Sequence, residues 1–159
     1  MMRSIFAGYL AAAALGSIAL PAMAATPAVT ATLANPSVRL WYEGTGRLSD
    51  NIAPPREFPL WNTIIGAGAA EENANDALFT VEVRTRGQQN VSQPLALTAT
   101  DARGKVLASR TLRGVLTSEA GRMTAALWVR DIGCAGAVTF VAQMGTRRQT
   151  VRLDFDCGE

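Results

Sequence analysis

The last stretch of the chain constrains its folding most. It holds both cysteines, Cys134 and Cys157, and a Gly145-Thr146 dipeptide midway between them. Residues 137–144 and 149–155 flank that dipeptide and read as two strands. Glycine at the first central position of a two-residue loop fits a type II′ hairpin turn. Such a turn sets Phe140 opposite Val151, Val138 opposite Leu153 and Gly136 opposite Phe155. The other face pairs Gln143 with Arg148, Thr139 with Arg152 and Ala137 with Asp154. One face is apolar and the other mostly polar, and a slip of one residue would exchange them, so the register is strongly specified.

The same register sets Cys134 opposite Cys157 on the apolar face, at the open end of the hairpin. A Cys134–Cys157 disulfide is therefore predicted, worth about 3 kcal/mol by loop-closure entropy. Counting from the turn puts the pair at a hydrogen-bonded position, where the Cβ atoms stand farther apart. The ladder is therefore expected to loosen near Gly133 or Gly136. Two free thiols are the alternative. A redox-active pair fits poorly, because the cysteines are distant in sequence and neither opens a helix.

The period of two extends through most of the chain. Val38 to Glu43 reads as a first strand. Phe79, Val81, Val83 and Thr85 alternate with polar neighbours, and Leu95, Leu97 and Ala99 do the same. Residues 106–112 form a further strand after the Asp101-Ala102-Arg103-Gly104 turn, with Gly104 suited to a left-handed position. A polar turn with Gly121 precedes Met123, Ala125, Leu127 and Val129, again in alternation. Residues 67–77 are rich in Ala and Glu, but interspersed Gly and Asn weaken a helix there. Seven or eight short strands predict an all-β fold: an antiparallel β-sandwich of immunoglobulin-like size, with a small Greek-key barrel as the alternative.

The N-terminus reads as an address. Arg3 precedes an apolar run over 5–20, and Pro21-Ala22-Met23-Ala24-Ala25 has a small-x-small ending. This is a secretory signal peptide pattern, with cleavage expected after Ala24. The run is short for a membrane span, so no span is expected after cleavage. Residues 25–36, ATPAVTATLANP, read as a flexible leader, and 37–159 as a single domain. Export favours oxidised cysteines.

Composition removes several chemistries. With no His, neither Ser-His-Asp nor Cys-His catalysis is available, nor imidazole ligation of zinc or copper. Lys105 is the one lysine any Ser-Lys dyad would have to use. A formal net charge of +2 gives no footprint for nucleic acid. No cofactor is implied.

The segment 44–76 departs most from strand patterning, and long irregular connections often carry function. Gly44-Thr45-Gly46 lacks the frame of a phosphate loop and reads as a turn. Trp61 flanks an apolar run, where it either packs under the loop or stacks on a ligand hydrogen-bonded by Asn62 and Arg47. Glu71, Glu72, Asn73, Asn75 and Asp76 are oxygen-rich; Glu71, Glu72 and Asp76 are the calcium candidates, though their spacing matches no EF-hand. Asp50 with Glu71 or Glu72 could form the carboxylate pair of a hydrolase, without support from spacing. Arg148 and Arg152 share the outward face of the last hairpin, as a solubilising or partner-binding face. Asn90-Val91-Ser92 fits the N-glycosylation pattern, relevant in a eukaryotic secretory pathway.

Three segments together, Leu40-Trp41-Tyr42-Glu43-Gly44-Thr45-Gly46, Leu60-Trp61-Asn62-Thr63-Ile64-Ile65-Gly66 and Asp156-Cys157-Gly158-Glu159, resemble a family of small, functionally uncharacterised exported proteins of Gram-negative bacteria. The resemblance implies a periplasmic or extracellular location and transfers no activity. The expectation is a non-enzymatic binding or structural module of the cell envelope with a protein or envelope partner. A small-ligand or calcium-binding module using 44–76 is the alternative, and a carboxylate-dependent hydrolase the third.

Overall fold

Residues 30–53, 61–62 and 72–157 are described by a computed structural model of the chain. Their alternating patterns produce strands and, among the described residues, no helix. Seven strands are long: β1 (Thr32–Tyr42), β4 (Asp76–Arg84), β6 (Leu95–Asp101), β7 (Val106–Leu112), β9 (Arg122–Val129), β10 (Gly136–Met144) and β11 (Arg147–Cys157). Four are two-residue pieces: β2 (Arg47–Leu48), β3 (Trp61–Asn62), β5 (Asn90–Val91) and β8 (Val115–Leu116).

Two sheets pack as an antiparallel β-sandwich. One has the order β2-β1-β4-β9 and the other β3-β11-β10-β6-β7. The short β3 joins the end of β11 in parallel, while the remaining pairs are antiparallel. No ladder joins the two large sheets among the described residues, so they form a sandwich rather than a closed Greek-key barrel. The fourth long strand, β7, pairs with the third, β6, and not with the sheet of the first, second and fifth as in constant-type immunoglobulin domains.

Inward residues of both sheets meet in one core. Phe79 of β4 lies 5.4 Å from Phe140 of β10 between ring centres, and Phe140 lies 6.2 Å from Phe155 of β11. Val81, Val83, Leu95, Leu97 and Val138 are fully buried around them. Burial alternates along β4 as the sequence pattern requires, because successive side chains point to opposite faces.

The final hairpin has the expected register, from Met144 opposite Arg147 to Gly136 opposite Phe155. Gly145 has φ +58° and Thr146 does not share the left-handed region, which is the type II′ arrangement. The ladder stops at Gly136, whose φ is +64°, and Ala135 N donates to Ile132 O in the preceding turn. Cys134 thus lies in a turn beyond the ladder, where the strands were expected to loosen.

The first strand starts earlier than the alternation indicates. Thr32 already belongs to β1, and Ala31 and Leu33 are buried, so the end of 25–36 is part of the sandwich and not a leader. A β-bulge explains the difference. The register with β4 shifts between Ala34 and Ser37, and Asn35 adopts φ +48°. An extra residue inverts the phase of the alternation, so Leu33 and Val38 face the same core from positions of opposite parity. Pro36, which has no N–H to offer a ladder, sits at that interruption.

Candidate functional site

The segment that begins at Gly44 first lines the outer edge of β1. Gly46 N donates to Tyr42 O, Ser49 N to Leu40 O and Ile52 N to Val38 O. Two side chains complete the seam. The Ser49 hydroxyl accepts from Leu40 N at 2.9 Å, and Asn51 Oδ1 accepts from both Val38 N and Ala53 N at 3.0 Å. Ser49 is buried, and this backbone-like role explains why a polar residue is tolerated there.

Of the sequence-derived candidates, the fold brings Arg47 and Glu72 together. Arg47 Nη2 donates to Glu72 Oε1 at 3.0 Å, and the Thr45 hydroxyl lies 3.0 Å from both Glu72 oxygens. This ties the 43–46 turn to the residues that lead into β4. Asp50 is exposed, and its carbonyl accepts from the Ser49 hydroxyl. Trp61 and Asn62 pair by backbone with Asp156 and Cys157. Glu71 lies outside the described residues, as do the side chains of Trp61 and Asn62.

Asp76 is also held by protein donors. Its Oδ2 accepts from Trp128 Nε1 at 2.7 Å and its Oδ1 from Asp131 N at 3.1 Å. Asp131 adopts φ +51°, and the bond from its backbone N–H helps hold that turn. Among the described residues no three metal-ligating side chains converge. Glu72 and Asp76 serve structural bonds that a calcium ion would have to displace. Asn75 Nδ2 donates to Glu43 Oε1 at 3.3 Å.

A surface that the sequence reading overlooked lies on the outer face of the first sheet. Directly opposed residues share a face, so the registers Leu48–Trp41–Asp76 and Arg39–Leu78–Trp128 define two adjacent rows. Trp41 and Trp128 meet edge to face, with centroids 5.5 Å apart and planes at 66°. Trp128 and Leu48 are each 38% exposed, and Trp41 and Leu78 are half-buried. Arg39 stands at one corner, its Nη1 donating to Ser49 O at 3.2 Å, and Asp76 at the opposite one. The signal was present in the sequence: both tryptophans occupy the outward phase of their strands, where a solvated sheet carries polar residues.

A concavity opens beside the turn that holds Asp131. It measures about 380 Å³ and is lined by Asp101, Arg103, Leu107, Asp131, Cys134 and Ala135 among others. Asp101 is engaged there by the hairpin, its Oδ1 accepting from Arg103 N and Lys105 N at 2.9 Å.

No family model matches the chain, and no curated protein matches it. Several solved structures are similar at low level. The ligand-binding region of Serine-glutamate repeat protein A of Enterococcus faecium aligns at 12% identity and TM-score 0.30, over 52% of this chain and 83% of that one. A beta-D-glucoside glucohydrolase from Trichoderma reesei aligns at 12% identity and TM-score 0.42, over 82% of this chain and 19% of the enzyme. A beta-glucuronidase from Bifidobacterium dentium aligns at 17% identity and TM-score 0.38, over 82% and 18%. Likeness at this level carries neither activity nor ligand to this chain.

Proposed function

We propose that this protein is an exported, non-enzymatic binding module of the cell envelope, and that it holds a protein partner on the Trp41–Trp128 face. The observation that carries the reading is the contiguity of Trp41, Trp128, Leu48 and Leu78 on an outward sheet face, with Arg39 at its rim. Single exposed apolar residues are ordinary, but a contiguous aromatic patch rimmed by polar groups marks an interaction surface. Tryptophan and arginine are the residues that most often dominate protein interfaces. The 66° angle between the rings favours protein over glycan, since two coplanar faces for successive sugar rings are not offered.

Export rests on the signal pattern of residues 1–24 and on the proposed Cys134–Cys157 disulfide. Support for the disulfide is the hairpin register, which ends two residues short of both cysteines, and Cys134 itself, which is not free. Titration of the unfolded, unreduced protein is expected to find no free thiol, and two would overturn the bridge. N-terminal sequencing of the mature chain is expected to start at Ala25; a retained Met1 would overturn the export reading.

Binding is tested by placing a photo-crosslinking amino acid at Leu48 in the full chain, expressed at native level in its own envelope. One discrete protein adduct is expected, and Trp128→Ala should abolish it while the circular dichroism spectrum is kept. Absence of an adduct, or an adduct indifferent to Trp128→Ala, overturns the proposed face.

A further inference from the structure

Strand edges carry unmade backbone hydrogen bonds, and folded proteins usually cover them. Among the described residues, one of the four edges is lined along much of its length and two others carry local contacts. The outer edge of β1 is lined by β2 and the stretch to Ile52. At β11, β3 pairs with the strand end and Gln149 Nε2 donates to Leu33 O of β1 at 3.0 Å. At β9, Arg110 Nη1 reaches over from β7 and donates to Ala126 O at 2.9 Å.

The fourth edge, β7, is different. It ends its sheet beside β9 of the other one, and among the described residues no strand or side chain is hydrogen-bonded to the backbone of its outer rim. A bulge marks its start, opposite Ala99 and Thr100, but from Ala108 to Leu112 the ladder with β6 is regular. It contains no proline, and Val106 is 54% exposed.

Charge along β7 and its flanks is mostly positive, with the Asp101 carboxylate held at the turn that precedes the strand. Residues 102–118 include Arg103, Lys105, Arg110 and Arg113 and no Asp or Glu. All four are exposed, and Arg103, Lys105 and Arg113 enter no ion pair among the described residues. Arg110 already serves Ala126 O, which leaves cations at the two ends of the strand.

We propose that the outer rim of β7 is a strand-addition site for an extended, acidic segment of a partner polypeptide. Backbone groups on the rim supply the ladder, and Lys105 and Arg113 select carboxylates at its ends. A second copy of this chain is disfavoured in the register centred on the middle of the strand. Antiparallel pairing of β7 with itself about Ser109 would set Lys105 opposite Arg113 at both ends, and like charges directly opposed are destabilising. This surface is separate from the tryptophan face and stands or falls independently of it.

The test is an NMR titration of the ¹⁵N-labelled mature protein with a nine-residue peptide alternating Glu with Val and Thr, carried to millimolar concentration. Amide shifts and slowed hydrogen exchange are expected within Val106–Leu112. Lys105→Glu with Arg113→Glu should weaken binding about tenfold, as removing two exposed ion pairs of favourable geometry would. A peptide N-methylated at every residue should not bind, because neither of its edges can donate to a ladder, and a Lys-for-Glu peptide should not bind either. Three results overturn the proposal: no change in β7, equal binding of the N-methylated peptide (a site for any polyanion), or equal binding of the Lys-for-Glu peptide.

Discussion

Trp128 and Asp76 are joined across two strands of one sheet, the indole Nε1 donating to Oδ2 at 2.7 Å, while Asp131 N occupies Oδ1. One carboxylate therefore orients an exposed tryptophan and anchors the turn from β9 towards β10. Asp76→Ala removes both bonds. It is expected to cost about 1.5–3 kcal/mol in urea unfolding, the range for hydrogen bonds to a charged group. The indole N–H resonance of Trp128 should move towards its free value. A loss under about 0.5 kcal/mol, typical of a neutral surface change, would contradict this role.

Phe140 touches both Phe79 across the sandwich and Phe155 on the neighbouring strand. Phe140→Ala leaves a cavity at the meeting point of three strands. The expected loss is about 3–5 kcal/mol by chemical denaturation. Gln143→Ala, on the exposed face of the same strand, should stay within about 0.5 kcal/mol.

Gly121 and Gly104 both have positive φ, +72° and +81°, but differ in their surroundings. A Cβ at Gly104 meets nothing within 4 Å, whereas one at Gly121 runs into the carbonyl oxygen of Thr85 and the amide of Gly87. Gly104→Ala should cost about 1–2 kcal/mol, the penalty of a left-handed backbone alone. Gly121→Ala adds overpacking of about 1–3 kcal/mol. Equal melting temperatures for the two variants would contradict the close approach of β4 to this turn.

Glu82 accepts from Arg84 Nη2 at 2.8 Å and from Asn35 Nδ2 at 2.7 Å, and its Oε1 lies 3.4 Å from Arg122 Nε. The hydrogen bond from Arg84, chiefly, holds its carboxyl below the usual carboxylate value. Because the folded value is lowered, its stabilisation is present above the unfolded pKa and is lost as pH falls through the folded one. Glu82→Gln should therefore be less stable than the wild type near neutrality, with the gap closing in acid. A gap that does not change with pH would contradict the pairing.

Much of the fold was legible because a half-buried sheet imposes a period of two on its strands. Phe79, Val81 and Val83 all face the core, and the Gly145-Thr146 turn carried enough geometry to set every pair of the last hairpin. The start of β1 was not legible, since the bulge at Asn35-Pro36 inverts the phase there and makes a strand look aperiodic. The site was legible only in part. Arg47 and Glu72 were candidates, but as parts of a ligand or cation site, whereas in the fold they pair with each other.

By itself, then, the sequence determined what depends on neighbours along the chain: strand periodicity, turn chemistry, the register of the closing hairpin and the absence of imidazole chemistry. Tertiary structure decided what depends on residues distant in sequence. It set Trp41 against Trp128, gave Asp76 to an indole, assigned β7 to the second sheet and left the backbone of its rim without a hydrogen-bonded partner among the described residues. The physical reason is that alternation specifies which face a side chain takes, but not which strand lies beside it. That choice follows from how the two sheets bury their apolar faces against each other.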